Sequence, residues 1–147
     1  MIELRKTESE ELSKLYEIGT QAHAKPFLSA KTMADYKREF VNKNTTYLSI
    51  VDTSNNILGY IILAKDQGKN SIQLKRILIG KESFGIGQDT LTKLEQYCIE
   101  IMGIKHIWLD VYDNNQKAIH IYEKLGYQLI NTQIHDNRKV LFYDKSL

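Results

Sequence analysis

Leu109-Asp110-Val111-Tyr112-Asp113-Asn114-Asn115-Gln116-Lys117-Ala118-Ile119-His120-Ile121-Tyr122-Glu123-Lys124-Leu125-Gly126-Tyr127 changes its apolar period part-way along. At its start, with Ile107 just upstream, Leu109 and Val111 alternate with Asp110 and Tyr112, the period of a strand with one buried face. Asp110 therefore points away from Leu109 and Val111. Asp113-Asn114-Asn115 is turn chemistry, and beyond it Ala118, Tyr122 and Leu125 fall on one helical face until Gly126 stops the helix.

The same alternation of elements runs upstream. Leu91, Leu94, Cys98 and Ile101, three and four apart, mark one face of a long helix ending near Gly103. Before it, Ile72 to Ile79 reads as a strand whose apolar parity slips: Leu74 lies on the even set, Ile77 and Ile79 on the odd. A slip of that kind implies a β-bulge. Strand, long helix and strand make a right-handed crossover between parallel neighbours. Gly85-Ile86-Gly87 sits between the first strand and the helix, where unmet N–H groups and the helix dipole favour an anion. Alone, a G-x-G is a weak signal that reads first as a tight strand-to-helix turn. Gln88-Asp89 in place of Lys and Ser or Thr rules out a Walker A loop, and Thr90 stands where a dinucleotide fingerprint needs its third glycine.

Towards the N-terminus, Ile2 to Arg5 predicts a short strand. Thr7 and Glu10 are spaced as a capping box before Leu12, Leu15, Tyr16, Gly19 and Ala22. His23 to Ser29, with Pro26, breaks that helix, and Met33, Tyr36 and Phe40 predict a shorter second one. Tyr47 to Val51 and Ile57 to Ala64 form a hairpin about Ser54-Asn55-Asn56, and Gln67-Gly68-Lys69-Asn70 turns into the next strand. After Gly126, strands near Tyr127 to Ile134 and Val140 to Tyr143 flank an Asp136-Asn137 turn. The elements sum to an α/β fold: one domain over 1–147, a mixed, mostly antiparallel sheet of six to seven strands, and helices on both faces.

Two quoted segments together resemble the GNAT superfamily of N-acetyltransferases. Asn115, Ala118, Tyr122 and Lys124-Leu125-Gly126-Tyr127 are similar to its motif B. Leu74-Lys75-Arg76-Ile77-Leu78-Ile79 through Gly85-Ile86-Gly87 is similar to motif A, its strand and pyrophosphate loop. The resemblance is specific from about Leu74 to Tyr127. It implies acetyl-coenzyme A as cofactor, held by Ile77, Ile79, Ser83, Phe84, Gly85, Ile86, Gly87, Gln88, Asn115, Ala118 and Tyr122. Of these, Ile77 and Ile79 would offer backbone groups and Asn115 an amide to the pantetheine arm. It also implies direct transfer of acetyl to the primary amine of a small molecule, peptide or protein, with Tyr122 as general acid. Glu82, where the family often has Gln or Arg, and Ser83, where Gly is frequent, depart from its pattern. They motivate the alternative of a non-catalytic acyl-coenzyme A sensor and leave the grip on diphosphate to backbone groups, with Lys81 nearby.

The chemistry is compatible with those roles. Aminolysis of a thioester needs a neutral amine, a polarised carbonyl and a proton for the leaving thiolate. A tyrosine of ordinary pKa, about 10, still carries its proton at neutral pH. Asp110 is the candidate base, its alternative being an ordinary solvated carboxylate; Gln73 and Tyr112 share its strand-parity claim to the cleft. His23, His106, His120 and His135 lack metal-ligand spacing, so no metal is expected, and packing or solvated roles are assigned to them. Cys98, within an apolar stripe, is expected to be buried and inert.

Composition narrows the classes. Apolar residues are 42% and charged residues 26%, values that place the chain among globular rather than disordered proteins. Twenty Lys and Arg against eighteen Asp and Glu leave +2, too little to announce nucleic acid or an anionic membrane. The first residues lack the order of a secretion signal, and no apolar run approaches the roughly 20 residues of a membrane span. With one cysteine, a cytoplasmic location is expected. A homodimer is possible, and the acceptor stays open between small molecules, peptides and proteins.

Overall fold

The computed structural model describes the chain except for residues 25–30, 67–69 and 84 and the side chain of residue 82. The expected break at Pro26, most of the turn beginning at Gln67, and Phe84 therefore lie outside the described residues.

Strands β1 (Glu3–Lys6), β2 (Thr45–Val51), β3 (Ile57–Lys65), β4 (Ile72–Ile79), β5 (His106–Tyr112), β6 (Gln128–His135) and β7 (Arg138–Ser146) form one seven-stranded sheet. Its order is β1-β2-β3-β4-β5-β7-β6. Only β4 and β5 run parallel; the other neighbours are antiparallel. Helices α1 (Leu12–Gly19) and α2 (Met33–Phe40) lie in the first half, α3 (Gly87–Tyr97) and α4 (Gln116–Lys124) in the second. The expected fold class is the observed one.

Alternation along the strands separates two cores. Leu48, Ile50, Ile61, Leu63, Ile72, Leu74, Ile107 and Leu109 face Leu91, Leu94 and Cys98 of the long helix and Ile119 and Tyr122 of α4. Tyr47, Tyr60 and Ile62 face Leu12, Leu15 and Ile18 of α1 and Tyr36 of α2. Each fully buried Leu or Ile in these layers stabilises the fold by about 1.5–3 kcal/mol relative to exposure. The long helix ends as expected: a single π turn, Cys98–Met102, follows α3, and Gly103 closes it at φ 67°. At the last hairpin Asp136 and Asn137 both take positive φ, the geometry of a tight primed turn.

The parity slip in β4 is a bulge at Lys75. Ile62 pairs with Arg76 and Leu63 with Leu74, so Lys75 has no partner in β3. The expected capping box is displaced by one residue. Glu8 and Glu11 form it, on a 3-10 turn Ser9–Glu11 that leads into α1, whereas the Thr7 hydroxyl is buried and bonds Ser49 Oγ at 2.8 Å. The last strand runs past its expected end at Tyr143: β7 continues to Ser146, and it lies between β5 and β6.

Candidate active site

Parallel pairing between β4 and β5 is confined to Ile72–Leu74 and Ile107–Leu109. Beyond Leu74 and Leu109 the strands part, leaving Lys75 to Ile79 on one side and Asp110 to Tyr112 on the other. Backbone groups at this opening follow from the antiparallel ladder with β3. Gly80 donates its N–H to Leu58 O at 2.8 Å, which makes alternate residues of β4 the bonded ones. Ile77 and Ile79 are the intervening residues, so their N–H and C=O groups turn from β3 towards the opening. One of these groups is occupied: His23 Nε2 lies 2.8 Å from Ile79 O. His23 thus ties the segment after α1 to the end of β4, a contact that residue spacing did not reveal.

The N-terminus of α3 stands over the same opening. A methyl group added at Gly87 would meet Ile121 Cδ1 of α4 at 3.4 Å and Ile79 Cδ1 of β4 at 3.7 Å, so the first residue of α3 sits between those two elements. Helix α2 is capped by Thr32, with Asp35 completing a box, and α4 by Asn115. At α3, Ile86 supplies no side-chain cap. Its first-turn N–H groups are left without a partner among the described residues, the arrangement that attracts an anion. Gly85 holds φ 104°, with open space where a Cβ would stand. Gln88 is exposed, Ser83 half-buried, and the Ser83 N–H is spent on Gly80 O at 2.9 Å. The 3-10 turn Lys81–Ser83 is fastened to the end of α1's segment by Lys81 N–H donating to Gln21 Oε1 at 3.0 Å.

From the far side of the opening come β5 and α4. Tyr122 is 6% exposed and belongs to the core that also receives Ile77, Ile79, Ile86 and Ala118. Its ring lies 5.8 Å from that of Tyr127. Its hydroxyl makes no hydrogen bond to a described residue and is not a sealed, unpartnered atom, so it reaches solvent. Burial first, and then the negative charge of Asp110, raise the phenol above the ordinary tyrosine value. Asp110 is exposed, yet partial dehydration raises its carboxyl, with His135 opposing the shift. Asn115 Oδ1 accepts from Ala118 N–H at 3.4 Å, capping α4. The amide nitrogen of Asn115 is left over among the described residues.

The remaining candidates occupy the floor. Gln73 is paired with Trp108 across the last parallel residues, and Trp108 stacks on Phe142 with ring centroids 6.4 Å apart. The Arg138 guanidinium covers Tyr112 at 3.6 Å. Helices α1 and α2 pack on β2, β3 and β4, so no described helix covers Trp108, Asp110 and Tyr112. Cys98 is fully buried, its thiol pushed up to about 12 by dehydration and by Glu95. His106 bridges strands rather than meeting solvent alone: Nδ1 is 2.6 Å from Ser71 Oγ and Nε2 2.9 Å from Asp144.

Comparison with known proteins bears on the family and the fold. The model of the acetyltransferase (GNAT) family matches residues 10–127. A probable spermine N(1)-acetyltransferase of Bacillus subtilis subsp. natto is 29% identical over 79 residues, 52% of each chain. The chain thus spans about half the length of that relative. An uncharacterized N-acetyltransferase of Methanocaldococcus jannaschii is 26% identical over 125 residues, 85% of this chain and 77% of the relative. Among solved structures, spermidine N-acetyltransferase from Vibrio cholerae in complex with CoA and spermine superposes with TM-score 0.85 at 17% identity, covering 99% of this chain and 95% of that one. At such identity the likeness speaks for the fold.

Proposed function

Since the chain belongs to the acetyltransferase (GNAT) family, we propose that it is an acetyl-coenzyme A-dependent N-acetyltransferase acting directly on a primary amine. The observation that carries this reading is the uncapped N-terminus of α3, set between Ile79 and Ile121 above the parted ends of β4 and β5. Unmet N–H groups there suit a diphosphate, and the outward backbone groups of Ile77 and the N–H of Ile79 suit the amides of a pantetheine arm. The spare amide of Asn115 suits the same arm, and Gly85, Ile86 and Gln88 flank the diphosphate position; Ser83 contributes less, its N–H being committed to Gly80.

Acetyl-coenzyme A supplies an acetyl group activated as a thioester. Asp110 takes the proton that the attacking amine must lose; its raised carboxyl brings it nearer to that task than an ordinary aspartate. Tyr122 gives its proton to the departing sulfur, and its raised phenol keeps that proton in place across the neutral range. No covalent enzyme intermediate is required. The buried thiol of Cys98 suits a reducing compartment such as the cytoplasm, and no described helix is long and apolar enough to cross a membrane. A homodimer would use β6, an edge strand exposed throughout, with Leu129, Ile130 and Ile134 bare. Incubation with acetyl-coenzyme A and a panel of amines tests the activity. Mass spectrometry should find an acetylated amine and one equivalent of free coenzyme A; tight coenzyme A binding with no product from any amine would favour the sensor alternative.

A further inference from the structure

Arg76 is the first residue of β4 beyond the Lys75 bulge, and it pairs with Ile62. Its side chain therefore lies on the sheet face of Ile62 and Tyr60, beneath α1 and α2. Asp110 lies on this face too, since Leu109 and Val111 point into the opposite core. Arg76 and Asp110 thus stand on the two parted strands, each just past the last parallel pair, Leu74 and Leu109.

The guanidinium of Arg76 has no carboxylate within ion-pair distance among the described residues. Its Nη1 is sealed from solvent without a hydrogen-bond partner. Tyr60 and Tyr36 hydroxyls and, farther off, Glu39 are the groups that act on it. Glu39 is already engaged: Tyr47 donates to Oε1 at 2.6 Å, Lys75 bonds Oε2, and Lys31 lies 3.9 Å away. Asp35 in turn is paired with Arg38 at 3.1 Å. Three cations, Lys31, Lys75 and Arg76, thus share the one carboxylate of Glu39. A half-buried, fork-shaped cation with one nitrogen sealed from solvent and no anion beside it is an incomplete pair, because a charge withdrawn from water is retained where it is matched.

At the paired ends of β4 and β5 the carboxylates are committed. Asp66 accepts from Trp108 Nε1 at 2.6 Å, and Asp144 is held by His106. Beyond them, on β5, the Asp110 carboxylate has no hydrogen-bond or ion-pair partner in any other described residue.

We propose that the acceptor is a small amine that also carries a carboxylate, the amine facing Asp110 and the carboxylate docking on the solvent-facing side of Arg76. This deepens the transfer reading above and rests on it. An acceptor of this class meets both unmatched charges at once, and a polyamine meets only one.

The test uses the full chain, acetyl-coenzyme A, and matched acceptors: amino acids with the amine at increasing distance from the carboxylate, each beside its carboxamide, with spermidine as the cationic comparison. At least one acid should exceed its amide and spermidine tenfold or more in kcat/KM, the size expected of a charge-assisted hydrogen bond. Arg76→Gln should bring that acid down to its amide, chiefly through KM, while leaving the amide within twofold. Arg76→Lys, which keeps the charge, should retain part of the preference and decides the matter if the Gln variant unfolds. Calorimetry gives a readout apart from turnover: with coenzyme A present, the N-acetylated acid should bind the native chain and bind Arg76→Gln at least tenfold more weakly. The proposal is overturned if amides or spermidine match the acids throughout, or if both Arg76 variants slow acid and amide alike. Acetylation without carboxylate preference would sink only the acceptor class; failure to acetylate any amine would sink the transfer reading as well.

Discussion

Tyr122→Phe separates chemistry from packing at the centre of the site. The phenol is buried, but its hydroxyl forms no hydrogen bond with a described residue, so removing it deletes no internal bond. Loss of an ordinary intramolecular hydrogen bond costs about 1 kcal/mol, and in a domain of this size that lowers Tm by about 2–4 °C. The variant should show no such fall. Coenzyme A affinity should stay within about twofold, because the ring that packs against Tyr127 and the core is retained. Turnover should fall about a hundredfold or more, the usual contribution of a positioned general acid. Scanning calorimetry, titration of coenzyme A and steady-state thiol release measure the three quantities. A kcat within twofold of the native chain would refute the proton-donor role. A fall in kcat accompanied by a drop of several degrees in Tm would refute the claim that the hydroxyl is structurally idle.

Asp110→Asn should slow transfer about a hundredfold at neutral pH and remove the acidic limb of the kcat/KM profile. In the native chain that limb should lie above the ordinary aspartate range, because the fold raises this carboxyl. The sign for stability is opposite: a raised carboxyl opposes folding when charged and is relieved as pH falls, so the Asn variant should not lose Tm at pH 7. A lowered Tm, or an unchanged acidic limb, would contradict this. Gly59→Ala should destabilise the sheet by about 1–3 kcal/mol, since its Cβ would stand 2.3 Å from Leu78 O and 2.9 Å from Ile79 Cα, backbone that cannot yield cheaply. Thermal unfolding with an unchanged midpoint would show that β4 shifts freely. Cys98, buried and with its thiol pushed up to about 12, should be silent to a colorimetric thiol reagent until the chain is denatured, when one equivalent should appear. Rapid labelling of the native chain would overturn that placement.

Much of this architecture is written locally. The change from strand period to helical period between Leu109 and Leu125 is carried by side-chain alternation within one segment, and β5 and α4 fall there. The slip between Leu74 and Ile77 is equally local, because a bulge must move every following side chain to the other face. What escaped is set by contacts between distant segments. Thr7 looks like a cap until Ser49, 42 residues on, takes its hydroxyl. His23 and Ile79, 56 residues apart, meet only after α1 folds over the sheet. The place of β7 between β5 and β6 depends on strand pairing that no periodicity encodes. Arg76 belongs to the same class: its type and spacing suggest a strand surface, and only the packing of α1 and α2 leaves it half-buried with no ion pair to a carboxylate among the described residues.

Direct transfer from acetyl-coenzyme A to an amine bound opposite it requires both to occupy the site together. Initial rates of thiol release, with acetyl-coenzyme A and the best acceptor varied together, test it most directly. Release should depend strictly on the amine, and reciprocal plots should intersect, as a ternary complex requires. Parallel plots with an acetylated protein, or release indifferent to the amine, would contradict it.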